Sequence, residues 1–302
     1  MTESRRIEPS PLGGGDGLPY SKGLMTRTLM ATGIPAGQAY ELARAVEKDL
    51  ASAGLESVEL ERVGELAAEL FGREQGDTIV TGLRRYLALR DLELPIVVLI
   101  GGTTGSGKSR VATEVAHRLG ITRVTSTDVI RQTMRAFFSE EFMPSIHYSS
   151  FEAGDAFSGD WPDHLVGGFL EQTRDVLVGV RAALDRALHE GLSMVLEGVH
   201  LVPGMLPTVL DHAVHAQCVL SIEDEEEHAR HFWVRDRVSE GTRPLTRYLE
   251  RFPDIRRLQE YLVARAREVG VPVIENVDLE RSVAAVLELV HSAAQRLEVP
   301  AT

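Results

Sequence analysis

The segment Gly102-Thr103-Thr104-Gly105-Ser106-Gly107-Lys108-Ser109 matches G-x-x-x-x-G-K-[ST]. Glycines at these spacings let backbone N–H groups converge on one point. A helix that begins at the lysine adds the positive end of its dipole, and the combination suits a polyphosphate. Lys108 is expected to reach the β- and γ-phosphates of a nucleotide, and the Ser109 hydroxyl to bind Mg2+. Arg110 follows at once and joins residues 102–109 as a nucleotide-contact candidate.

Three further groups could share that chemistry. Asp128 lies in Ser126-Thr127-Asp128-Val129-Ile130-Arg131, where it could orient or deprotonate an acceptor hydroxyl, or simply cap a helix. Arg131 and Arg135, four residues apart, share one helix face and could hold an anionic substrate or stand in solvent. Glu197, in Leu196-Glu197-Gly198-Val199-His200, falls where a carboxylate can take Mg2+ directly or through water; the bland alternative is a buried glutamate with a structural partner. His200 reads equally as site lining or as packing. Residues 228–257 carry arginines at 230, 235, 237, 243, 247, 251, 256 and 257. Two or three of them, with Arg235, Arg237 and Arg243 flanking the turn Ser239-Glu240-Gly241, are expected to meet the charge that spreads over a transferring phosphoryl group. The stretch from about residue 228 to 248 is expected to act as a lid.

The elements that must position these groups show in the apolar pattern. Ile96-Val97-Val98-Leu99-Ile100 runs directly into the glycine-rich segment and suits a strand buried on both faces. Similar runs at Ile121–Thr125, Leu192–Leu196, Gln217–Ile222 and Val271–Ile274 alternate with helical pattern, which predicts a parallel sheet with right-handed crossovers. Phe142–Asp163 has no period and reads as a loop that could cover a site. Upstream, apolar residues recur at three and four from Ser21 to about Leu89, and the breaks at Thr32-Gly33-Ile34-Pro35 and Ser52-Ala53-Gly54 predict a bundle of short helices. The expected division is a flexible tail over 1–19, a helical domain over 20–92 and the phosphate-binding domain over 93–302.

A formal net charge of -13 disfavours non-specific attraction to nucleic acid or anionic membrane, so any phosphate site must be locally basic. The single cysteine, Cys218, sits in an apolar run and reads as a core thiol. No stretch approaches the roughly 18 to 20 apolar residues that span a bilayer, and a cytoplasmic location is expected.

The sequence resembles the archaeal-type 2-phosphoglycerate kinase family. The likeness is carried by Ile100–Ser109, Ser126-Thr127-Asp128 with Ile130-Arg131 and Met134-Arg135, and Leu196–Gly204. It continues through His228, Phe232, Arg235, Arg243, Tyr248-Leu249, Ile255-Arg256, Gln259 and Tyr261-Leu262 to Pro272-Val273-Ile274. Ser21–Leu24 with Leu29–Gly33 is similar to the ATP-cone domain found ahead of these kinases.

The resemblance implies a nucleoside-monophosphate-kinase-like P-loop α/β domain with a three-layer, five-stranded parallel sheet ordered 2-3-1-4-5, preceded by the ATP-cone-like helices. It implies ATP and Mg2+ as cofactors and transfer of the γ-phosphate to the 3-hydroxyl of 2-phosphoglycerate, giving 2,3-bisphosphoglycerate. Lys108, Asp128, Arg235 and Arg243 would then be catalytic. Asp128, Arg131, Arg135, Glu197 and His200 would face the acceptor, with Ser109 and Glu197 at the metal. Arg110 stands where the family commonly has a small hydroxyl residue, and the helical domain lacks a basic nucleotide-binding signature. Another small phosphorylated or polyol acceptor, such as an inositol phosphate, is the alternative substrate, and a non-catalytic ATP-dependent regulator the alternative class. The expected partners are ATP and a small anionic acceptor, without nucleic acid or membrane; a homodimer is compatible with the sequence.

Overall fold

Ser21 caps the first helix by accepting a hydrogen bond from the Leu24 amide, and α1 (Lys22–Ala31) ends at Thr32. The computed structural model describes residues 20–206, 210, 212–238 and 245–298, with the side chains at 234–238, 245 and 298 outside the described set. Pro35 precedes α2 (Ala36–Ala53), which stops at Gly54 in the left-handed conformation. The expected breaks therefore fall where helices end. With α3 (Leu60–Phe71) and α4 (Arg73–Asp91), these helices enclose a core of Met25, Leu29, Leu42, Val46, Val63, Ile79 and Leu83. Among the described residues this helical unit reaches Glu93 and includes 294–298; a second unit spans Leu94–Ala293.

In the second unit β1 (Ile96–Gly102) is buried along its whole length, as its unbroken apolar run requires. It is followed by α5 (Lys108–Leu119), β2 (Val124–Ser126), α6 (Thr127–Phe137), α7 (His164–His189), β3 (Met194–Glu197) and β4 (Val214–Ser221). Then come α8 (Glu225–Val238), α9 (Leu245–Glu250), α10 (Phe252–Glu268), β5 (Val273–Glu275) and α11 (Leu279–Glu298). The five strands are parallel and ordered β2-β3-β1-β4-β5. Val97 and Leu99 pack with Val176, Leu177, Val180 and Leu184 of α7, while Val219 of β4 packs with Ile255, Leu258 and Leu262 of α10. Helices thus cover the sheet.

Three strands begin later than their apolar runs predict, for one shared reason. Ile121, Leu192 and Val271 each follow a left-handed glycine, at 120, 191 and 270. Each donates its amide back to a carbonyl of the preceding helix, on Ala116, Ala187 and Ala266. These residues close helix C-termini, where a hydrophobic side chain seals the turn, and pairing starts two or three residues on. β4 instead begins earlier than expected, at Val214, which pairs with Ile96. Cys218 on β4 is buried, and burial pushes its thiol up to about 12. No helix among the described residues is long and apolar enough to cross a membrane.

Candidate active site

The turn from β1 into α5 leaves little room for side chains. A Cβ at Gly105 would lie 2.6 Å from Phe232 Cζ and 2.9 Å from His228 Nε2, and a Cβ at Gly107 would overlap the Asn276 amide. Both glycines have positive φ, so the backbone bends in a way that L-residues resist. The loop's carbonyls are engaged on its outer side. His228 Nε2 bonds Thr104 O at 2.9 Å, His231 Nδ1 bonds Gly105 O at 2.8 Å, and Asn276 Nδ2 donates to Ser106 O at 2.9 Å. Within the cradle the buried Thr103 Oγ1 has no hydrogen-bond partner.

Lys108 folds back so that its ammonium donates to Thr103 O at 2.6 Å. Desolvation lowers its pKa, and the carboxylates of Glu197 and Asp128 oppose that shift. Ser109 Oγ donates to Glu197 Oε1 at 2.9 Å, and Glu197 itself is buried. A hydroxyl, a carboxylate and an ammonium therefore meet at the carboxyl ends of β1 and β3, where open α/β sheets collect ligands.

Asp128 stands in the first turn of α6, exposed, with Oδ1 3.6 Å from Arg131 Nε. Arg131 is buried, and its NH1 donates to Ile146 O at 2.9 Å and Tyr148 O at 2.8 Å. Burial lowers its pKa, as do the nearby charges of Arg135 and Arg247, while Asp128 raises it. Arg135 is exposed and donates to Gln132 Oε1 at 3.3 Å. His200 has no accessible surface; Nδ1 faces Thr127 Oγ1 at 2.9 Å and Nε2 faces Gln172 Oε1 at 2.9 Å. It can reach a substrate only through those neighbours. Arg110 is exposed at the third position of α5.

Of the arginines between 228 and 257, those with described side chains all have acceptors. Arg230 pairs with Glu227, Arg251 with Asp155 and Asp254, and Arg257 with Asp163. Arg256 donates to Ile222 O and Glu223 O. Arg247 is paired with Glu152 and reaches Ser149 Oγ at 3.3 Å. The Arg235 and Arg237 side chains and all of Arg243 lie outside the described residues, as do residues 239–244 of the expected lid.

A cleft of about 370 Å³ opens beside the phosphate loop, lined by Ile222, Asp224, Glu226, Glu227, Arg230, Glu275 and Val277. Its two walls, α8 and the chain after β5, are the segments that reach the loop through His231 and Asn276. Sequence reasoning missed Asn276 and Gln172 as partners of the site. Thr103 was expected as a member of the motif, whereas the two amides carry no motif.

Known proteins share this chain's sequence over most of its length. It is 40% identical over 274 residues to a 2-phosphoglycerate kinase of Thermococcus kodakarensis, covering 89% of this chain and 92% of that one. It is 34% identical over 277 residues to one from Methanopyrus kandleri, covering 91% and 84%. It is 36% identical over 275 residues to one from Pyrococcus furiosus, covering 90% and 89%. No protein-family model matches the chain.

Proposed function

The chain belongs to the 2-phosphoglycerate kinase family of phosphotransferases, and from that premise we propose that it transfers the γ-phosphoryl group of ATP to the 3-hydroxyl of 2-phosphoglycerate, giving 2,3-bisphosphoglycerate. The observation that carries this reading is a complete phosphate loop together with Asp128, whose Oδ1 lies 3.6 Å from Arg131 Nε, while Arg135 and Arg247 are near enough to Arg131 to lower its pKa. A nucleotide sensor needs only the first. A kinase for a phosphorylated acid needs both.

In this reading Gly102 to Ser109 hold the triphosphate through backbone N–H groups, and the unpartnered Thr103 hydroxyl supports an acceptor oxygen close by. Lys108 leaves Thr103 O and follows the γ-phosphate as its charge spreads over the equatorial oxygens. Arg110 flanks the loop from outside. The acidic cleft between α8 and Val277 repels phosphate and suits a neutral base with an exocyclic amine.

Ser109 Oγ and the Glu197 carboxylate are hard oxygen donors, a set that fits Mg2+, an ion that keeps most of its shell as phosphate and water. Bound there, Mg2+ would neutralise phosphate charge that these residues alone leave uncompensated. Asp128 accepts the proton of the attacking hydroxyl or orients it in line. Arg135 and Arg247 hold the acceptor's own phosphate and carboxylate. Arg131 braces the segment beside them, and His200 acts from behind through Thr127. Arg235 and Arg243 remain the proposed lid cations.

The test is an acceptor panel assayed with labelled ATP and scored by product mass. Turnover of 2-phosphoglycerate to the bisphosphate is expected. Silence on that acceptor alongside turnover of an inositol phosphate would reverse the assignment, and ATP binding without turnover of any acceptor would make the chain a regulator.

A further inference from the structure

Gln172 lies inside α7 with no accessible surface, and both its side-chain N–H donors and its oxygen are engaged. Nε2 donates to Ser145 O at 2.6 Å and Tyr148 O at 3.0 Å, and Oε1 faces His200 Nε2 at 2.9 Å. Backbone carbonyls only accept, so they fix the orientation of the amide. Oε1 must then accept a hydrogen bond from His200 Nε2–H, which leaves Nδ1 as an acceptor for the Thr127 hydroxyl. A one-way chain of donors runs from Thr127 through His200 to Gln172 and on to the carbonyls of residues 145 and 148. Such chains strengthen their members and leave each one costly to orphan.

Both ends of this chain touch the acceptor side. Thr127 is the first residue of α6, next to Asp128. Tyr148 O also accepts from Arg131, and Ser149 meets Arg247. We propose that Gln172 is a positioning residue for the acceptor half of the reaction, acting through His200 and Thr127 on Asp128 and through Tyr148 on Arg131. The phosphate loop is held instead by His228, His231 and Asn276. Damage to the Gln172 chain therefore misplaces the acceptor and spares the nucleotide.

This inference rests on the kinase reading above. Its test is steady-state kinetics of the full chain, using whichever acceptor the wild-type protein turns over best, with the Kd of an ATP analogue measured in parallel. A wild-type chain silent on 2-phosphoglycerate thus overturns the acceptor assignment alone. Thr127→Val and Gln172→Met are expected to lower kcat/KM for the acceptor by about ten- to a hundredfold, with the analogue Kd changed by less than about threefold. Thr127→Ser, which keeps the hydroxyl, should recover to within about threefold of wild type. The double variant should be little worse than the poorer single one, because both break the same chain. If acceptor and nucleotide suffer equally, if Thr127→Val stays within about twofold of wild type, or if the two losses multiply, Gln172 is a packing residue and the proposal fails. Should Gln172→Met not fold, the contrast between Thr127→Val and Thr127→Ser decides.

Discussion

Ser109 Oγ and Glu197 Oε1 lie 2.9 Å apart although 88 positions separate them in the chain, and this one contact joins the start of α5 to the end of β3. Glu197→Gln keeps the shape and removes the charge. It should lower kcat by about a hundredfold and raise the Mg2+ concentration needed for half-maximal rate, because a neutral amide is a poor ligand for a hard cation. A magnesium titration of the variant, in the presence of both substrates, checks this.

Lys108→Ala removes the only cation built into the phosphate loop itself. Turnover should fall by at least about a thousandfold, while the fold persists, since the lysine's one bond is to a carbonyl of its own loop. Activity near wild type, measured as acceptor-dependent ADP release, would remove the loop from the mechanism.

Gly105→Ala tests the cradle by space alone. The new methyl group would crowd Phe232 and His228 in a backbone conformation with φ of 87°. A loss of about 1–3 kcal/mol in stability is expected, with weaker ATP binding, because strain and displaced neighbours add. Calorimetric melting with and without nucleotide reads both effects.

Stability should fall as pH drops below about 6.5. Burial lowers His228 to about 4 and His200 to about 3, so both stay neutral in the folded chain while the unfolded chain takes up protons first. A depressed imidazole pKa contributes stability that is complete above the unfolded value near 6.5 and is lost as pH falls towards the folded one. The slope reaches at most about 1.4 kcal/mol per pH unit for each histidine. His228→Gln, which can still donate to Thr104 O, should flatten part of the slope between pH 7 and 5 in denaturant titrations.

Arg251→Ala with Arg257→Ala cuts the pairs to Asp155 and Asp163. Exposed pairs of this kind contribute about 0–1 kcal/mol each, so the global melting point should barely move. Hydrogen exchange across residues 149–163 should nevertheless quicken by up to about tenfold, and more so at low salt.

The phosphate loop was legible because its information is local: glycine spacing, a strand before it and a helix after it. Strand existence was legible for the same reason, but strand starts were not. Ile121, Leu192 and Val271 look like strand residues and serve helix ends, a choice made by the glycine ahead of each. The order of strands came from a resemblance, since local pattern does not encode which strand lies beside which. The arginines show the same limit. Their number was visible, yet Arg247, Arg251 and Arg257 find their carboxylates 94 to 96 positions away, and Arg131 finds backbone carbonyls that no side-chain pattern announces. Gln172 and Asn276 were invisible because a neutral amide gains meaning only from what folding brings to it.

A Cβ at Gly198 would overlap the Thr127 hydroxyl, and that closeness has a consequence for how the chain can vary. Any side chain at 198 must evict the hydroxyl, and a valine at 127, though it fits, breaks the bond to His200. Residues 127, 198, 200 and 172 thus form a single unit of substitution, in which a change at one site alters what the others tolerate. Serine at 127 apart, which keeps the hydroxyl, drift through this corner of the molecule would require passing through unfit intermediates, and a library randomised at all four positions should otherwise yield functional survivors only in correlated combinations.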